Sequence, residues 1–232
     1  MIGLALALVA GACGDDTVSP EEAADLTTTS TTEAPTSTTT ADTGGGLGSE
    51  RDAAIESFES DVRDDIGLGS GAAATDGGYT SYVEVTDDSG LLSVEVPAEW
   101  SDVNGSEGLF GPDIIASTDV AAFQADFEVP GVEFQATGVN AAGQGPADVL
   151  GLLTEGFVSL CTQGPINPYT DPLYYGVSQI FTDCNGTTTS FVWVAVKPLD
   201  ESFTAVVGVQ VVDDRDVDAL GRILDTFVVR TG

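Results

Sequence analysis

The sequence predicts an α+β fold, an antiparallel sheet of about six strands covered by helices. Three observations carry that expectation. From Tyr79 onward, β-rich runs of alternating polarity recur, separated by turn residues such as Asp87-Asp88-Ser89-Gly90 and Asn185-Gly186. Between them, apolar residues fall at spacings of three and four, which gathers them on one side of a helix. Strand and helix runs interleave without a strict βαβ repeat, which argues for a layered α+β domain. With 42% hydrophobic residues in 232, the chain has enough apolar surface to bury a core.

Residues 2–12 (IGLALALVAGA) are uncharged and apolar. As a helix they rise about 16 Å, roughly half the hydrocarbon thickness of a bilayer, so they are too short to span it. They match the apolar stretch of a secretory signal, ending in small residues. Cys13 follows, then Gly14, Asp15 and Asp16. The run Val9-Ala10-Gly11-Ala12-Cys13 resembles the lipobox of bacterial lipoproteins, which implies that residues 1–13 are a signal peptide and lipobox, with Cys13 diacylated as the new N-terminus. The alternative is a cleaved signal with an incidental cysteine. Each buried acyl methylene contributes about 0.8 kcal/mol, so two chains anchor durably where one holds marginally. The expected location is the extracytoplasmic face of the cell membrane, lipid-anchored.

Residues 14–49 read as a tether. Within 27–43, twelve of 17 residues are Thr or Ser and none is large and apolar, so burial cannot offset the entropy of ordering. Fully stretched, the 36 residues reach at most about 120 Å. Residues 50–66 (ERDAAIESFESDVRDDI) form an amphipathic helix with Ile55, Phe58, Val62 and Ile66 in one stripe; alone it is marginal, so it docks or frays. Residues 67–78 are a Gly/Ala linker.

The folded domain spans 79–232. Tyr79–Val85 and Leu91–Val96 form a hairpin, ended by Pro97 and Trp100. Residues 101–112 are a Gly-containing loop, and Asp113–Ala116 a short strand. Asp119 caps a helix that carries Val120, Phe123 and Phe127 on one face. Pro130-Gly131 breaks it, and Val132–Thr137 is a strand. Pro146 opens a helix with Val149, Leu150, Leu153, Phe157 and Leu160 as its apolar face. Tyr174–Asp183, Thr187–Val196 and Phe203–Val212 are long strands, the first two joined at Asn185-Gly186. Asp213-Asp214 then opens a last helix, buried through Val217, Leu220, Ile223, Leu224 and Phe227.

The run Leu91-Leu-Ser-Val-Glu-Val-Pro-Ala-Glu-Trp100, the later Pro130-Gly-Val-Glu-Phe-Gln-Ala136, a helix ending at one cysteine and a hairpin bearing a second resemble the PsbP-like α/β/α sandwich. That domain occurs in actinobacterial lipoproteins of the LpqN type and beside some secreted trypsin-like proteases. The resemblance covers roughly 79–230 and implies a non-catalytic module. Cys161 and Cys184, an even pair in an exported chain, are expected to form a disulfide. Tyr169, Tyr174 and Tyr175 flank a Pro-rich loop, NPYTDPLYYG, and either make a recognition surface or pack beneath it. Trp193, in mid-strand, is expected in the core.

Much chemistry is excluded. There is no histidine, hence no Ser–His–Asp or Cys–His catalysis and no imidazole ligand. A net charge of −32 repels phosphate backbones, so nucleic acid is no partner. Asp42-Thr43-Gly44 and Asp88-Ser89-Gly90 imitate aspartic-protease triplets but fall in the tether and a turn. Asp214, Asp216 and Asp218 imitate a calcium loop, but Ala219 replaces the required glycine; a helix start explains them. Gly67-Leu-Gly-Ser-Gly-Ala lacks the strand that a dinucleotide loop needs. No cofactor is expected. The expected function is a non-catalytic binding module for an envelope protein, a cell-wall polymer or a small ligand. The alternatives are a carboxylate-only hydrolase of cell-envelope material, an accessory domain of a secreted protease system, or a charge-bearing structural surface protein.

Overall fold

The two runs richest in β-branched and aromatic residues lie side by side in the middle of one sheet. They are β8 (Ser190–Pro198) and β9 (Phe203–Val211). Almost every residue of both is buried, as a strand covered on two faces must be. In this computed structural model, which describes residues 47–68, 77–108, 110–138 and 145–230, seven antiparallel strands make the main sheet. The others are β3 (Asp102–Asn104), β4 (Asp113–Ser117), β5 (Gly131–Gly138), β6 (Thr162–Thr170) and β7 (Tyr174–Thr182). The order is β3-β4-β5-β9-β8-β7-β6. A second antiparallel sheet, β1-β2-β10, holds β1 (Tyr82–Thr86), β2 (Leu92–Pro97) and β10 (Val228–Val229). Four helices complete the described fold: α1 (Leu47–Asp65), α2 (Val120–Ala125), α3 (Pro146–Thr154) and α4 (Asp214–Thr226).

The alternation of side chains along each strand sorts the core into two layers. Val192, Val194 and Val196 of β8 face one way, into a cluster with Phe134, Val207 and Val209, the α4 stripe (Val217, Leu220, Ile223, Leu224) and Leu92, Val94 and Val96 of the small sheet. Phe191, Trp193 and Ala195 face the other way, against Val149 and Leu150 of α3, Phe123 of α2 and Phe181. Gly208 is needed here: a Cβ on it would lie 2.5 Å from the Trp193 ring, so its absence lets the indole lie flat across β9.

Helix α1 docks through Ile55 and Val62, both buried with the α4 layer. Arg51 donates to the backbone oxygens of Leu224 (2.6 Å) and Asp225 (2.7 Å), carbonyls that the end of α4 would otherwise leave open. Arg63 pairs with Asp218. The N-terminus of α4 is closed by a capping box: Asp213 accepts from Arg215 N–H, and Asp216 accepts from the N–H groups of Asp213 and Val212.

The structure corrects several expectations. The α+β class holds, but among the described residues there are ten strands in two antiparallel sheets rather than about six in one. Short β3 lies in the segment read as loop, and two-residue β10 was below any pattern length. The Pro146 helix stops at Thr154; Gly156 follows, Phe157–Ser159 is a single 3₁₀ turn, and Leu160 is exposed. Residues 162–170 are strand β6, paired with β7, not a Pro-rich loop. Asn185-Gly186 is no two-residue hairpin turn. Residues 183–189 connect β7 to β8, with Asp183 and Asn185 at φ 53° and 52° and Asn185 N–H bonded to Leu160 O. Helix α1 starts at Leu47, taking three residues from the expected tether. Cys13, the rest of the tether and most of the 67–78 linker lie outside the described residues.

Candidate functional site

A groove of about 560 Å³ opens where the β6–β7 turn, the β8–β9 turn, the end of α4 and β10 meet. Tyr174, Phe203 and Phe227 form its aromatic wall, with Tyr174 and Phe227 centroids 4.7 Å apart. Leu173 and Leu199 are exposed at its lip. The Arg51 guanidinium lies 5.7 Å from the Tyr174 ring and 5.9 Å from that of Phe227, a cation held against two π faces. Its Nε is buried without a hydrogen bond, 3.7 Å from the Asp171 carboxylate. Asp200 and Asp225 add negative charge at the edge.

The three tyrosines separate by strand parity. Tyr169 opposes Gly176, so it shares a face with Tyr174 while Tyr175 points away. Tyr169 is buried edge-on to Phe58 of α1, its hydroxyl donating to Asp171 at 3.2 Å. Burial pushes the Tyr169 and Tyr174 hydroxyls above the ordinary tyrosine range. Tyr175 is exposed and donates to Glu201 at 2.9 Å. Of the three, Tyr174 lines the groove. Phe203, Phe227 and Arg51 had no local signal as site residues, because only the fold brings positions 51, 174, 203 and 227 together.

Cys161 and Cys184 are disulfide-bonded, tying the end of the 3₁₀ turn to the β7–β8 connection. Trp193 is buried, as expected. A smaller cavity of about 400 Å³ sits beside edge strand β6, where the register shifts between Gln163 and Ile166. That irregularity and two prolines, Pro165 and Pro168, blunt the edge against further strand pairing.

Two carboxylates meet on the α3 side of the main sheet. Asp113 of β4 stands directly opposite Gln135 of β5, and Glu133 lies two residues along the same face. Burial, and the neighbouring Glu133 charge, push Asp113 up to about 7; burial also raises Glu133. Among the described residues, no group of three or more Cys, Asp or Glu side chains stands ready to hold a metal. No described helix is long and apolar enough to cross a membrane. Set against known proteins, the chain matches no family model, and no curated protein matches it.

Proposed function

We propose that this chain is a lipid-anchored extracytoplasmic protein whose domain, PsbP-like in its element order, binds a partner without transforming it. The observation that carries the binding role is the groove. Its aromatic wall and apolar lip suit a ligand with a flat or apolar part, the composition typical of binding clefts. Membrane attachment through Cys13 rests on the lipobox run, and the envelope setting agrees with a disulfide in the fold.

The test compares the full chain with a Tyr174→Ala, Leu199→Asp double variant in capture from envelope extract. Loss of specific partners from the variant supports the groove; identical captured sets overturn it. Intact mass of the native protein tests the anchor, and a mature chain without acyl groups on Cys13 overturns that part. The hydrolase reading has one observation in its favour, the raised Asp113 beside Glu133. Release of soluble fragments from envelope polymer, abolished by Asp113→Asn, would support it.

A further inference from the structure

We propose that Asp113, Glu133 and Gln135 form an oxygen-donor site for a hard divalent cation of the calcium class. The register makes the cluster. Asp113 and Gln135 are a cross-strand pair, and Glu133 is Gln135's neighbour on the same face. Diagonal neighbours on adjacent strands stand about 7 Å apart at Cα, and their side chains reach one another. Ligands at about 2.4 Å from one ion lie within about 5 Å of each other, and two members of the cluster, the Gln135 amide and the Glu133 carboxylate, are already in hydrogen-bond contact.

The second observation is unmet hydrogen-bonding capacity. Asp113 is 6% exposed and Gln135 5%, yet Asp113 Oδ1 and Gln135 Oε1 have no hydrogen-bond partner. The Gln135 amide nitrogen donates to Glu133, so the amide stands among the carboxylates with its oxygen unused. Buried oxygens without donors are costly, and an ion is a common remedy. Counter-charge is also missing. The five arginines engage Asp171, Asp218, Asp213, Glu95 and Asp225, or the Gly90 and Ser93 oxygens, all elsewhere. Lys197 is on β8, separated from β4 by β9 and β5. The donor set contains only oxygens, two of them charged, which suits a hard ion of flexible coordination and not zinc. Water or backbone oxygen would complete the shell.

Trp193 provides the readout. Glu133 pairs with Gly208, and Gly208 with Trp193, so the indole lies across β9 in the same row as Glu133. Terbium, a calcium substitute, is titrated into the full chain at 150 mM NaCl, where screening over about 8 Å suppresses diffuse binding to the acidic surface. Indole-sensitised luminescence is expected to saturate at one ion per chain. Millimolar calcium displaces it, as for extracellular calcium modules, and equal magnesium does not. Asp113→Asn and Glu133→Gln, each nearly isosteric, weaken binding at least tenfold. Apparent affinity also falls at pH 5, where protons compete. Glu133 is only partly buried, so its variant stands as the reading if Asp113→Asn fails to fold. An Asp213→Asn, Asp214→Asn control leaves the titration unchanged. The proposal is overturned by absent or non-saturating luminescence, by no displacement with calcium, or by equal affinity in the Glu133 variant.

Discussion

Asp216 shows how much one side chain decides. It is wholly buried and accepts three hydrogen bonds, from Val212 N–H (2.8 Å), Asp213 N–H (2.9 Å) and the Tyr79 hydroxyl (2.6 Å). Burial outweighs those bonds and raises its carboxyl. Asp216→Ala leaves three donors stranded at the start of α4, and the expected loss in urea denaturation is about 3 kcal/mol. Glu59 is the opposite case, a carboxyl pressed where it fits poorly. It lies against Gly221 of α4, where a Cβ would come within 1.6 Å of its oxygen. Burial pushes it up to about 7, with Asp218 and Glu56 adding to the rise and Arg63 opposing it. The folded state therefore holds the Glu59 proton more tightly than the unfolded chain does. Stability falls as pH rises from about 4.5 to about 7. Asp113 acts with the same sign. Asp87, held down by hydrogen bonds from Ser89 and Leu92, acts oppositely, and its contribution is lost below about 3.8. Maximum stability is expected near pH 4, and Glu59→Gln should flatten the fall between about pH 4.5 and 7 in thermal melts. An unchanged slope would remove Glu59 as its cause.

Among the elements, α1 and the disulfide are the informative ones. Helix α1 has a stripe only one residue wide, and its place is set by what it meets. Phe58 packs edge-on against Tyr169 at 5.2 Å, and Arg51 closes the end of α4. Phe58→Ala is expected to cost about 2 kcal/mol and to expose α1 to proteolysis before the sheet is cut. If cleavage in α1 stays as slow as in β8, the helix is held by other contacts. The Cys161–Cys184 bond closes a loop of 23 residues' separation. Reduction should lower stability by about 3 kcal/mol in the chain-entropy account, read from denaturation with and without reductant. A shift under about 1 kcal/mol would show that the reduced chain keeps that loop closed by packing.

For the whole molecule, charge dominates. Thirty-eight acids against six bases give −32, and residues 79–232 alone carry 23 acids and four bases. Five of the six bases are already engaged with carboxylates or backbone oxygens. Repulsion among the remaining carboxylates is screened over about 8 Å at physiological salt, so the melting temperature should climb between 0.05 and 1 M NaCl. A flat profile would mean that the carboxylates are too far apart to matter.

The sequence by itself determined whatever depends on neighbours along the chain. Asp213 and Asp216 announce the capped start of α4, Asp87–Gly90 the β1–β2 turn, and unbroken apolar runs the doubly covered β8 and β9. It also supplied Cys161 and Cys184 as a pair, and the fold joins them in a disulfide. Only the tertiary structure decided the rest. Asn185 abandoned the expected tight turn because the disulfide and Leu160 O hold that corner elsewhere. Strands as short as β3 and β10 form because β4 and β2 are there to receive them. The groove joins Arg51 to Phe227, and the carboxylate cluster depends on which residue of β5 lies opposite Asp113. Local propensity acts over a few residues, whereas a site is made by register and packing between segments far apart in the chain.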